Sequence, residues 1–105
     1  MLKIQELADN IKDELKDADK YIGLALKYKD SDKVTADMYY QKSLEEMEHA
    51  NCLHKRVTEL IAEYRKATGD PPAEMMWRYD YLHKIHIEDA TEIKVKQMIY
   101  KEGLK

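Results

Sequence analysis

A chain of 105 residues builds one domain with a modest core. Charged residues make up 37% and Phe is absent, so burial must come from Leu, Ile, Met, Ala and Tyr; these are mostly good helix formers, and only three Gly and two Pro interrupt them. With a net charge of −3, no basic patch, no run near the ~20 apolar residues of a membrane span and a single Cys, the chain is expected to engage neither nucleic acid nor membrane and to hold no internal disulfide or Cys-rich zinc site.

The amphipathic start, Met1-Leu-Lys-Ile-Gln-Glu-Leu7, lacks a signal-peptide core, and a cytoplasmic location is the expectation. A first helix is predicted from about Lys3 to Lys29, with its apolar stripe at Ile4, Leu7, Ile11, Ala18, Tyr21, Ala25 and Tyr28, at steps of three and four. Asp30-Ser31-Asp32 breaks it and offers N-caps. A second helix is predicted from about Lys33 to Thr68, its stripe running from Tyr39 and Ser43 through Ala50, Leu53, Val57 and Leu60 to Tyr64. Gly69 reads as its C-cap, Asp70 as the next N-cap and Pro71 as the start of a third helix extending from about Pro72 to Lys101. Met76, Leu82, Ile85, Ile93 and Ile99 form the third stripe, with Trp77, Ala90 and Val95 close by. Short joints make neighbouring helices antiparallel. The fold class is therefore all-α, a single domain of three long antiparallel helices.

Each stripe has acidic gaps. Glu14 lies between Ile11 and Ala18, Glu46 with its neighbour His49 lies between Ser43 and Ala50, and Asp89 and Glu92 lie between Ile85 and Ile99. An isolated carboxylate in a bundle core is costly and persists when it is paired or bound to a metal. Counting outward from the two turns puts Glu14, Glu46, His49 and Glu92 in one slab. Residues three apart on a helix point to nearly the same side, so Glu46 and His49 can reach one ion together. Oxygen and imidazole donors suit iron or manganese, and also zinc. The plainer alternative is a buried Glu46–His49 pair that fixes helix register.

Glu46-Met-Glu-His49-Ala50 resembles the second-helix motif of rubrerythrins and other ferritin-like proteins. Glu14-Leu-Lys-Asp-Ala-Asp-Lys-Tyr21 is similar to their first-helix pattern, in which a ligand Glu precedes a Tyr by seven residues. The resemblance spans roughly residues 10 to 60 and implies a dinuclear centre, of iron or else manganese or zinc, with ferroxidase or peroxide-reducing activity. A complete ferritin-like bundle has four core helices and a second Glu-x-x-His, whereas this chain has three helices and one copy. Two solutions follow, and the first, the homodimer, is the expected one. A homodimer would supply Glu14, Glu46 and His49 twice, as short encapsulin-associated ferritin-like proteins do; alternatively Asp89, Glu92 and His86 complete a site within one chain. No Cys-x-x-Cys is present for a rubredoxin-type iron site, so electrons would come from a partner protein, from ferrous iron itself or from a small reductant.

Plainer roles are expected elsewhere. Asp80 and His83 are read as surface groups, His54 as facing solvent, Cys52 as a half-buried thiol, and Tyr21 and Tyr39 as amphipathic filler or ligand-bonding groups. The run Met75, Met76, Trp77, Tyr79 and Tyr81 is the densest apolar and aromatic cluster, and it supports a competing reading: a metal-free helical module that dimerises or docks as an adaptor or inhibitor. Neither a Gly-rich phosphate loop nor a Gly-x-Ser-x-Gly elbow is present.

Overall fold

The computed structural model describes residues 2–103. Three helices, α1 (Leu2–Tyr28), α2 (Lys33–Thr68) and α3 (Ala73–Glu102), account for nearly all of them, and no strand occurs among the described residues. They run up, down and up: Ala18 meets Ser43 near the middle of the α1–α2 hairpin, Asp37 meets Tyr100 near one end of α3, and His54 meets His83 nearer the other. The molecule is a rod of 56 × 19 × 17 Å. Its long dimension is that of α2, 36 residues at about 1.5 Å each. Among the described residues, no helix is long and apolar enough to cross a membrane.

The joints follow local chemistry. Asp32 caps α2 by accepting a hydrogen bond from the Thr35 backbone N–H at 3.1 Å and another from the Thr35 hydroxyl at 2.6 Å. Gly69 closes α2 at φ +89, a backbone region that strains any residue with a Cβ. The expected Asp70 cap does not form. Asp70 lies 3.6 Å from Arg65 instead, and Pro72 is the capping residue of α3, with no side-chain bond to the helix. Two successive prolines fix extended backbone through this joint, so α3 starts at Ala73 rather than Pro72.

The core is a set of seven-residue ladders. Ile4, Ile11, Ala18 and Ala25 form one buried ladder on α1, and Ala8, Leu15 and Ile22 form a second. Ala36, Ser43, Ala50 and Val57 face them from α2. Small residues at Ala18, Ala25, Ala36 and Ser43, all fully buried, let the two backbones approach closely, and α1 packs on α2 far more extensively than α3 packs on either. Burial of Ile22, Val57 and Ile93, each at 2% exposure or less, contributes about 1.5–3 kcal/mol apiece.

The third helix departs from the expected stripe. Its buried ladder is His86, Ile93 and Tyr100, with Gln97 also buried, while Leu82, Ile85 and Ile99 are only half-buried and Trp77 and Val95 lie in solvent. Polar partners decide this phase. The Gln97 amide donates to the Ser43 hydroxyl at 2.9 Å, and that hydroxyl donates to the Ala18 carbonyl at 2.8 Å, so a buried relay links all three helices. Tyr100 donates to Asp37, Lys33 lies 4.6 Å above the Tyr100 ring, and Lys96 pairs with Asp19 at 2.8 Å.

Candidate metal centre

Glu14 on α1 and Glu46 on α2 occupy a second pair of ladders, flanking the core. On α1 this flank reads Leu7, Glu14, Tyr21 and Tyr28; on α2 it reads Tyr39, Glu46, Leu53 and Leu60. All eight residues are half-buried and all recur at seven-residue steps, so they line one side of the α1–α2 seam. α3 lies on the opposite side, where it meets Asp19, Ser43 and Asp37. One side of the hairpin is therefore covered by a helix and the other is not.

Glu14, Glu46 and His49 converge on the uncovered side. Each offers one ligand atom, and these atoms all lie within 4.8 Å of one another. The His49 Nδ1 is 3.5 Å from the Glu14 Oε2 and 3.7 Å from the Glu46 Oε2. For metal–donor bonds of about 2.1 Å, two donors on one ion lie roughly 3.0 to 4.2 Å apart, depending on the angle between them. Both separations fall in that range. The Glu14 Oε2 is also buried and accepts no hydrogen bond. A buried acceptor without a partner is costly, and a cation between the three groups would satisfy it. The donor set is hard oxygen plus imidazole, which suits iron, manganese or zinc. By donor chemistry and the two His49 separations the three residues could hold a metal ion, while the 4.8 Å bound on the whole set exceeds the single-ion range.

The set is also open. The Glu46 and Glu14 side chains are 21% and 28% exposed, but that of His49 is 59% exposed. Three donors leave the coordination of such an ion unfilled on the solvent side.

Glu14, Glu46 and His49 thus meet as the turn-counting predicts, because Ala18–Ser43 contact sets the hairpin register one turn away. Asp89 and Glu92 are not brought to them. Both are exposed and line a shallow groove between α1 and α3 with Lys12, Lys16 and Asp19, at a similar height but around the far side of α1. Height was legible from residue numbers; the side of the hairpin that α3 occupies was not. Tyr39 stacks with Tyr21 at 6.0 Å and with Tyr28 at 6.4 Å, a row of rings running from the carboxylates toward the first turn. Cys52 is exposed rather than half-buried, one helical turn past His49 on the solvent face.

One polar cluster escaped the sequence reading. His54 and His83 are each half-buried rather than wholly exposed. The two rings stack at 4.6 Å across the α2–α3 seam, Tyr79 stacks on His83 at 5.7 Å, and His86 is buried beside them. Burial, with help from His83, pushes the His54 imidazole below its ordinary pKa. Burial does the same to His86, opposed by Asp89 and reinforced by His83, His54 and Lys12. The signal was present in the numbering: 79, 86, 93 and 100, and 76, 83, 90 and 97, are consecutive heptad ladders, and His54 follows Tyr40 and Met47 at the same step.

The chain matches no family model, and no curated protein or solved structure is significantly similar to it.

Proposed function

We propose that this protein is a metal-binding helical protein in which each chain supplies half of a dinuclear carboxylate–histidine centre, completed when two hairpins pair through their uncovered sides into a four-helix bundle. The observation that carries the reading is the convergence of Glu14, Glu46 and His49 around a buried Glu14 Oε2 that accepts no hydrogen bond. Two copies give four carboxylates and two imidazoles, the ligand set of ferritin-like dinuclear sites, two copies of Glu-x-x-His included. The half-buried flank that includes Leu7, Tyr21, Tyr28, Tyr39, Leu53 and Leu60 supports the pairing, since its heptad spacing is that of an interhelical seam.

Within this centre Glu14 and Glu46 neutralise the cations, and His49 contributes a neutral nitrogen donor. Docking of the second flank would remove the His49 ring from water and dry the site. A pair of iron or manganese ions would supply redox chemistry when bound, and the activity we assign is oxidation of ferrous iron, with oxygen or peroxide as the electron acceptor and water or peroxide as its reduced product.

The test is an anaerobic titration with ferrous iron, read as metal bound per chain for the native protein and for Glu46→Ala and His49→Ala, with light scattering on the same samples. About one ion per chain, a dimeric mass and loss of binding in both variants are expected. A dimer that binds no metal would establish a metal-free interaction module instead. Unchanged binding in the variants would sink the assignment of the ligands.

A further inference from the structure

The two halves of α3 are held to the bundle by different chemistry. From Ile93 onward the helix is fastened by Lys96–Asp19, Gln97–Ser43 and Tyr100–Asp37. Between Ala73 and Ala90, among the described residues, no hydrogen bond or ion pair crosses to α1 or α2; those made there, Arg78–Glu74 and Thr91–Ile87, stay within α3. Met76, Tyr79 and Ala90 pack against the core, and the rest of this half is loosely seated. A cleft of about 460 Å³ separates it from the start of α1, and a second of about 330 Å³ lies against α2. What bridges the second cleft to α2 is imidazole: His83 stacked on His54, and His86, 8% exposed and hydrogen-bonded to no protein group.

A metal site is the first alternative to weigh, and the geometry disfavours it. The His54 and His83 planes are 10° from parallel. The nitrogen lone pairs lie in the ring planes, so stacked rings do not aim them at one point. Face-to-face packing suits neutral imidazoles, because two imidazolium ions at this distance repel.

We propose that residues 73–90 form a proton-sensitive latch, closed on α2 by the stacking of His83 on His54 and by the buried His86, and released when His54 and His86 take up protons. The charges around the cluster favour release. Lys12 on α1 and Lys94 on α3 are already cationic, and Asp89 on α3 is the anion that acts on His86. On α2 the cleft presents His54 and the neutral Asn51, and Asp80 acts on Tyr79 at the edge of the stack. Protonating His54 and His86 therefore adds positive charge beside Lys12 and Lys94, with Asp89 the opposing anion at His86. The sign follows from the burial that lowers His54 and His86: the closed form binds fewer protons than the open form. Its advantage is complete above the ordinary imidazole value of about 6.5 and is lost as pH falls below it, by up to about tenfold per pH unit for each group protonated only in the open form. Opening uncovers Met47 and Ala50, which flank Glu46 and His49 on the same turn of α2.

Amide hydrogen exchange on the metal-free full chain at pH 7.5 and pH 5.5, corrected for the intrinsic pH dependence, tests it. Protection across residues 76–88 should fall about tenfold or more at pH 5.5, while that of 93–101 holds. The variant His54→Leu with His86→Leu should keep its protection at both pH values. Ring-proton NMR titration of the native chain gives a second readout independent of the variant's folding, with His54 and His86 titrating below 6.5. Equal loss in both halves of α3, unchanged protection at 76–88, or ring titrations at or above 6.5 would overturn the latch. So would stoichiometric zinc raising the protection at pH 7.5 with loss of the effect in His83→Ala, since the cluster would then be a metal clip.

Discussion

Replacing Glu14 by Leu separates a site held ready for a ligand from a polar pair that holds the bundle together. The Glu14 Oε2 is buried and accepts no hydrogen bond, and an unsatisfied buried acceptor costs about 1–3 kcal/mol. The side chain as a whole is 28% exposed, so the lower end applies, about 1 kcal/mol. Leu at this position continues the flank of Leu7 and Tyr21 without a polar group. Metal-free Glu14→Leu should therefore be more stable than the native chain by about 1 kcal/mol, or about 4–8 °C in Tm for a domain of this size. With metal the order should reverse. A ligand at a hundred times its Kd stabilises by about 2.7 kcal/mol, and the variant should gain almost none of it. Thermal unfolding with a chelator and with ferrous iron, each at two protein concentrations to expose any dimerisation, measures both terms. If metal-free Glu14→Leu is less stable than the native chain, Glu14 is a structural partner of His49 and the reasoning fails.

Three further substitutions test the scaffold that positions the site. Ser43→Ala removes both links of the buried relay, leaving the Gln97 amide without its partner and the Ala18 carbonyl with only its helix bond; a loss of about 1–3 kcal/mol is expected in urea unfolding, with the slope unchanged. Ile93→Ala, at a residue only 2% exposed, should cost about 2–5 kcal/mol, and native-state hydrogen exchange should show the loss in α3 before the α1–α2 hairpin. Gly69→Ala puts a Cβ on backbone at φ +89, and about 1–3 kcal/mol should be lost in Tm measurements although nothing near it is crowded.

Three long helices, their order and both joints could be read from the sequence to within about two residues, because heptad spacing, Asp32 and Gly69 act locally. The convergence of Glu14 with Glu46 and His49 was legible for a similar reason: a four-residue joint fixes which turns of two antiparallel helices face each other. α3 was harder. Its joint is prolyl and its cap is Pro72 rather than Asp70, and three or four residue numbers at each height compete for the core when polar residues occupy it. His86 and Gln97 are buried while Trp77 and Val95 are exposed, the reverse of their hydropathies. The Ser43 hydroxyl explains Gln97, since a buried amide is tolerated where a partner waits. For His86 the explanation is the cleft beside it, which leaves an imidazole room without a bond.

These polar interruptions have a common arrangement. Two clusters flank the same stretch of α2: Glu46 and His49 with Glu14 on the uncovered side, and His54 with His83 and His86 on the side that α3 covers. Met47 and Ala50 lie between them, buried and in step with Leu15 on α1. A core this narrow, 17–19 Å across the rod, has no second apolar layer to absorb a change on either side. Filling the Glu14–Glu46–His49 set would tighten the α1–α2 seam at this level, whereas loosening the imidazole stack would open the α2–α3 seam. Apolar residues at both clusters would give a more stable bundle by the transfer and desolvation terms alone. The sequence instead places carboxylates and imidazoles there; under the proposed metal centre and the proposed latch, the energy forgone is what would make one side of this stretch responsive to cations and the other to protons.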